Sequence, residues 1–486
     1  MKPGLPAGNY RVLTDSQVER VHQAALGLLA DPGILCESAP VLELMAKAGA
    51  SVDRATRMIR VPAEMVGAAI RSAPSSLLLF GRNDPAMDLQ IEDGRVYYGM
   101  GGTSEPLTWD WKLWKPRTPT KADMVANTRV GHALPNIDFV QTLCMSGDQP
   151  TGQIFFHDFD AIFRNTTTPT VINILERPFT QHLLAITAAA SGGERALREK
   201  PSVLGIVTPI TPLKFAVMNE GILDAVEAGV PVLYSPGPLM GATGPATVAG
   251  TVALTMAEVL FGVVLTQAIK PGAPVVLKPD VDVFDMATTQ CTYSSPEQNL
   301  GKAAAAQMAR HYHLPIYGLG GGVEAKVPDA EAAAIAMMSM LMMGMAGMNL
   351  CQSLGTMSWG QYGAPEMTVL CDEMVSMIRR VLTGIAFDDD RLALDVIREV
   401  GPGGSFLQHD HTVAHFRKEL FFPKLFRRQS MEEWQAKGSR MMHDVAHERV
   451  EEILRTAGPV PLPPGVDAEI ERALQRAIEW SKRAGS

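Results

Sequence analysis

Hydrophobic and polar positions along the chain follow two rhythms. Residues Asp15–Ala30 (DSQVERVHQAALGLLA) carry apolar side chains at helical spacing behind an acidic start, which predicts an amphipathic helix. Residues 39–48 and 62–72 predict two more, with short β-type runs at 58–61 and 76–80. Residues 1–92 therefore read as a small α+β N-terminal module. A second rhythm begins at Val96. Eight apolar β-type runs start at Val96, Phe139, Thr170, Ser202, Val230, Pro274, Leu314 and Met348. Their spacing of roughly 30 to 45 residues is the length of a β-loop-α unit. Helical segments are predicted at 120–133, 214–228, 247–269, 297–311 and 329–346.

Strands that are apolar throughout and alternate with helices are parallel strands covered on both faces. Eight such units predict a (β/α)8 TIM barrel over residues 93–386. A doubly wound open sheet is the alternative, but no Gly-x-Gly-x-x-Gly turn follows the first strand, and Gly320, Gly321 and Gly322 come too late to supply one. Residues 387–486 are charged and helical, with helices predicted at 391–400, 430–456 and 467–484. They read as a C-terminal extension covering the barrel. A glycine- and histidine-rich loop, GPGGSFLQHDHT, spans 401–412, and a proline-rich linker spans 459–465.

Composition narrows the class without naming the chemistry. A hydrophobic content of 46% with 20% charged residues indicates a globular chain, and the net charge of −9 without a basic run argues against nucleic-acid binding. The five cysteines are scattered and form no Cys-x-x-Cys pair, so a reducing, cytoplasmic setting without a disulfide framework is expected. The N-terminus lacks an apolar signal core. The most lipid-like stretch, 332–350, reads as a buried helix feeding a buried strand, since Lys326, Asp329 and Glu331 precede it and Asn349 and Gln352 follow. No membrane partner is expected.

In a barrel of this kind the active site forms at the C-terminal strand ends. Those ends are rich in Gly, Pro, Met and aromatic residues. His409, His411 and His415 offer imidazoles, but no further ligand is suggested nearby, so no tightly bound metal is expected. No Gly-x-Ser-x-Gly elbow occurs, which disfavours a Ser-His-Asp hydrolase. Lys278 and Lys326 are candidates for a Schiff base, although Lys278 stands beside Asp280 and Asp282 and reads equally as salt-bridged. The distinctive feature is aromatic surface: Tyr97, Tyr98, Trp109, Trp111, Tyr234, Phe284, Trp359 and Tyr362. Ring faces attract quaternary ammonium ions at about 0.5 to 2 kcal/mol per contact, so a cage needs several. Taken one at a time, each ring is better explained as packing.

Several blocks then point to a family. MGATGPATVAGTVALTMAEVL (240–260), QAIKPGAPVV (267–276), ARHYHLPIYGLGG (309–321) and VGPGGSFL (400–407) resemble the trimethylamine methyltransferase (MttB) family. So do MGGTSEP from Met100 and the tract holding Glu419, Pro423, Trp434 and Gly438. The resemblance covers nearly the whole chain. It implies a (β/α)8 barrel that methylates the cobalt of a corrinoid (cobalamin) supplied by a separate partner protein.

The founding members carry pyrrolysine near the segment that here reads LGGGVEAKVPD (319–329), at or close to Gly322. Glycine there implies the non-pyrrolysine branch, resembling a glycine betaine:corrinoid methyltransferase, with glycine betaine or a related betaine as substrate. The substrate-binding candidates are Tyr97, Phe156, His157, Tyr234, Phe284, Gly320, Gly321, Gly322, Gln352 and Trp359. His157, Gln352 and the backbone amides of Gly320 to Gly322 would serve a betaine carboxylate, and the rings its cationic head. Glu324 complements the cation or anchors its loop, with pairing to Lys326 as the structural alternative. A homo-oligomer is expected. Three rivals stay open: a betaine-sensing barrel without turnover, transfer to a thiol or folate instead of a corrinoid, and a Lys278-dependent aldolase or lyase.

Overall fold

In a computed structural model, residues 1–484 are described except 3, 7, 9, 103 and 104. Thr103 and Ser104 of the MGGTSEP block therefore lie outside the described residues. All eight apolar runs become parallel strands: β1 (Arg95–Met100), β2 (Phe139–Val140), β3 (Thr170–Asn173), β4 (Val203–Val207), β5 (Val232–Tyr234), β6 (Val275–Leu277), β7 (Tyr317–Leu319) and β8 (Leu350–Leu354). Their spatial order runs β6-β5-β4-β3-β2-β1-β8-β7. A parallel bridge between Leu277 and Ile316 closes the ring, with the Leu277 N–H donating to the Pro315 carbonyl at 2.9 Å. The fold is a (β/α)8 barrel.

Alternation along each strand separates two cores. Tyr97, Phe139, Val171, Leu204, Leu233, Val276, Tyr317 and Leu350 belong to the cluster inside the barrel. Val96, Tyr98, Val140, Ile172, Val232, Tyr234 and Val275 belong to the cluster shared with the surrounding helices.

A helix follows every strand: α1 (Lys121–Ala133), α2 (Ile154–Asn165), α3 (Arg177–Ser191), α4 (Gly221–Glu227), α5 (Val248–Ile269), α6 (Pro296–His311), α7 (Ala330–Ala346) and α8 (Pro365–Leu382). Thr120 opens α1 with a reciprocal capping box to Asp123, and the Asp329 side chain caps α7. Helix α5 is long and apolar enough to cross a bilayer, yet most of it is buried, packed under the N-terminal helix Asp15–Ala30. The helix expected over 214–228 is shortened. Leu213 takes a positive φ of 53° while its N–H donates to the Glu258 carboxylate at 2.7 Å. Lys214–Phe215 then pairs as a strand with Leu35–Cys36, so helix starts only at Gly221.

The N-terminal segment is joined to the barrel by three strand contacts, the first an antiparallel pairing of Leu5–Pro6 with Arg95 and Val96 of β1. Its sheet of Ser51–Asp53, Met58–Arg60 and Ile34–Cys36 takes Lys214–Phe215 as its outer strand. Its hairpin of Leu77–Leu79 and Leu89–Ile91 joins the interior cluster and plugs the N-terminal end of the barrel. At the other terminus, α9 (Met442–Thr456) packs on α8 and α1, and α10 (Val466–Ala484) packs on α3 and α2. The helix expected over 430–456 is broken: Met431–Ala436 stops before Gly438, which has φ 86°, and α9 begins after it.

Candidate active site

At the C-terminal strand ends the loops enclose a cavity of about 580 Å³. Its wall takes Asn173 from the end of β3, Thr208 after β4, Ser235 after β5, Lys278 after β6, Leu319 of β7 and Gln352 of β8. Phe155, Leu175, Leu239 and Tyr293 give it apolar surface, and Asp280 and Asp282 give it charge. A second cavity of about 690 Å³ lies on the flank between α8 and α9. It reaches no strand end, so barrel geometry assigns the chemistry to the mouth.

The mouth carries opposed charges at close range. Lys278 is ion-paired with Asp280, both nearly buried. Asp282 accepts a hydrogen bond from Gln298 Nε2 at 2.6 Å. Burial, then the neighbouring Asp280, pushes the Asp282 carboxyl above its ordinary range, while Lys302 and Lys278 oppose that shift. Lys302 reaches in from α6 and is almost wholly buried. Burial pulls its ammonium down, and Asp282 and Asp280 hold it up. Its Nζ has no hydrogen-bond partner among the described residues. Beneath this layer the Tyr317 hydroxyl lies 3.0 Å from Gln141 Oε1 and 2.9 Å from Gln352 Oε1. Burial holds the Tyr293 and Tyr317 phenols well above their usual range, so both are neutral donors.

The aromatic residues expected to form a cage are not brought together. Tyr97 lies in the barrel interior toward the opposite end, with its hydroxyl donating to the Gln90 carbonyl in the plugging hairpin at 3.0 Å. Tyr234 points outward to α5, where a Cβ on Gly262 would meet its ring at 2.2 Å. Phe156 stacks on Phe179 at 4.7 Å and meets Trp480 of α10, so it serves helix packing, while its neighbour Phe155 lines the cavity. His157 sits on the flank of α2 with Nδ1 3.3 Å from Lys121 Nζ. Trp359 has Lys326 over its ring at 4.4 Å. Trp109, Trp111 and Tyr362 build a separate cluster, in which Trp111 stacks on His447 of α9 at 4.4 Å.

Of the remaining candidates, Gln352 lines the cavity. Phe284 stands on the hairpin strand Asp282–Asp285, one alternation outward from Asp282. Gly320 to Gly322 lie behind Leu319 and Tyr293; the Gly320 N–H donates to the Gln352 carbonyl at 3.0 Å, so that amide is already used. Glu324 is half-buried, with its carboxyl raised chiefly by burial. Its backbone carbonyl accepts from Lys326.

The cavity is therefore lined by residues outside the expected ligand set, chiefly Asp280, Asp282 and Tyr293, with Lys302 buried behind them. A signal for three of the charged groups was present. In KPDVD, Lys278, Asp280 and Asp282 alternate with Pro279 and Val281, so an extended chain puts all three on one face.

The model for trimethylamine methyltransferase (MTTB) matches residues 4–484. This chain belongs to that family. A trimethylamine methyltransferase of Desulfitobacterium hafniense is 32% identical over 95% of this chain and 93% of its own length. A glycine betaine methyltransferase of the same species is 30% identical over 96% of each. Among solved structures, the monomethylamine methyltransferase of Methanosarcina barkeri corresponds to 93% of this chain and 96% of its own, at 11% identity and a TM-score of 0.46. These relatives are named as methyltransferases of methylated amines, and membership of the family makes this chain a methyltransferase.

Proposed function

We propose that this enzyme takes a methyl group from a small zwitterionic quaternary amine, a betaine, and delivers it to the Co(I) of a corrinoid carried by a separate protein. The observation that carries the reading is the charge pattern of the mouth. Two carboxylates and the Lys278 ammonium line one cavity, with the Lys302 ammonium buried behind them, so a trimethylammonium head and a carboxylate each meet an opposite charge. The glycine betaine methyltransferase among the relatives supports the same substrate class.

Asp280 and Asp282 face the cationic head. The quaternary nitrogen has no N–H, so charge and contact, not hydrogen bonding, select it. Lys278 and the amide of Gln352 serve the carboxylate end, and Lys302 behind them balances the charge of Asp282. Leu175, Leu239, Leu319 and Phe155 form the apolar wall that keeps water from the reacting methyl. The C–N bond breaks with its electron pair staying on nitrogen, and the tertiary amine departs neutral, so no acid is needed for the leaving group. Trimethylamine lacks that positive charge, and glycines 320–322 offer no group to supply it.

The corrinoid enters this proposal as a co-substrate carried by its own protein. When present it supplies the nucleophile for the methyl group.

The test is a panel of betaines, choline and trimethylamine assayed with cob(I)alamin, following methylcobalamin by absorbance. Turnover of a betaine is expected, with choline weaker because it lacks the carboxylate. Activity on trimethylamine alone overturns the proposal. Betaine binding without methylcobalamin, or transfer to a thiol or folate, would select a rival reading.

A further inference from the structure

Between Ile378 and Ala446 no residue is buried. This arm contains the short helices Asp389–Leu392 and Leu394–Val400 and the helix Asp410–Glu419. It has no core of its own, and the chain's five cysteines are all free. Leu425 and Phe426 fasten its later part to the main core, which leaves the helices before them to polar cross-links.

We propose that Asp390, His411 and His415 bind a divalent transition-metal ion of the zinc class, which staples the two halves of this arm together. His411 and His415 are four residues apart on one helix, so both imidazoles project from the same face. Their rings stand 4.2 Å apart. Asp390 comes from the short helix Asp389–Leu392, two helices earlier in the chain, and one ligand atom from each of the three residues lies within 4.8 Å of the others. His415 Nε2 is 3.1 Å from Asp390 Oδ2, and His411 Nε2 is 3.0 Å from the Asp390 backbone carbonyl. Two ligands bonded to zinc at about 2.0 to 2.1 Å in a tetrahedron stand about 3.3 Å apart, so the 3.1 Å between His415 Nε2 and Asp390 Oδ2 already suits a shared ion.

The buried Nδ1 of His415 has no partner among the described residues, which leaves Nε2, on the Asp390 side, as the ring's bonding atom. Water completes the coordination. The site lies beside the last turn of α8, where Arg380 and Arg391 both pair with Glu419, and so is remote from the strand-end cavity. Its role is structural. Imidazole with carboxylate selects zinc-class ions over magnesium or calcium.

The test uses the full-length chain purified without a metal-affinity tag. Elemental mass spectrometry should find about one zinc per chain, and cobalt(II) titration should give the visible absorbance of a low-coordinate nitrogen and oxygen site. The His411→Ala/His415→Ala double variant, checked for native circular dichroism, should lose both signals. Asp390→Asn provides a milder second variant with weakened binding. Chelation of the wild-type chain should speed proteolysis within 385–440 while the barrel stays intact. A wild-type chain that neither retains zinc nor titrates with cobalt overturns the proposal. So does undiminished metal binding in the folded double variant.

Discussion

Single side chains in this barrel mouth do work that their identity alone does not announce. Asp282 is held near Lys302 and Asp280 in a poorly hydrated pocket, so its charge is costly to place and useful to a cation. Asp282→Asn should raise KM for the betaine by about 10-fold, equivalent to about 1.4 kcal/mol, with a smaller change in kcat. Steady-state kinetics decide this; an unchanged KM would remove Asp282 from substrate binding.

Glu258 makes a different prediction. Burial raises its carboxyl to about 8 from an ordinary 4.5, while its bond from the Leu213 N–H pulls the other way. Between those values the folded chain holds a proton that the unfolded chain has released. Its contribution is therefore full below about pH 4.5 and is lost as pH rises toward 8. Glu258→Gln keeps the acceptor and removes the titration. Thermal melts should show a shallower decline between pH 5 and 8 than the wild type; parallel declines would count against this account.

At the scale of elements, the barrel depends on small residues where helix meets strand. Gly262 on α5 leaves room for the Tyr234 ring of β5, and any Cβ there would overlap it. Gly262→Val should destabilise by about 1 to 3 kcal/mol through overpacking, visible as a lowered denaturation midpoint with an unchanged m-value. The same contact explains why Tyr234 cannot also serve the cavity. A strand end offers two faces, and α5 occupies the one that Tyr234 takes. The shortened α4 follows a similar logic, since Glu258 captures the Leu213 amide and the N-terminal sheet takes the next two residues.

At the scale of the whole molecule, the two extensions are fastened to opposite parts of the barrel. The hairpin of Leu77–Leu79 and Leu89–Ile91 seals its floor. The tryptophan cluster above β1 and β8 holds α9 through Trp111 on His447, while His447 Nδ1 lies 2.8 Å from Glu366 Oε1 of α8. Trp111→Ala should increase amide exchange across α9 and leave the barrel strands protected. Hydrogen exchange read by mass spectrometry checks it, and uniform loss of protection would mean that the clasp is part of the global fold. Trp111 and Phe156, two rings expected near a cation, are thus used to hold the C-terminal helices.

The sequence by itself determined the eight strands and five of the eight intervening helices, one of them shortened in the fold, because each rests on local signals; α2, α3 and α8 emerged only in the structure. Apolar runs, helical spacing, capping residues such as Thr120 and Asp329, and loops at strand ends are written over a few neighbouring residues. The Lys278, Asp280 and Asp282 face was legible in the same way, through simple alternation. Only tertiary structure decided which aromatic rings faced the cavity, since that depends on strand parity relative to a closed barrel and on distant partners. Tyr97 belongs to the floor because β1 puts it beside the hairpin, and Phe156 belongs to α10 because α2 turns it outward. Lys302 came to stand behind the acidic wall of the mouth only when α6 packed behind β6. Fold was local in this chain; the chemistry of its cavity was assembled by closure.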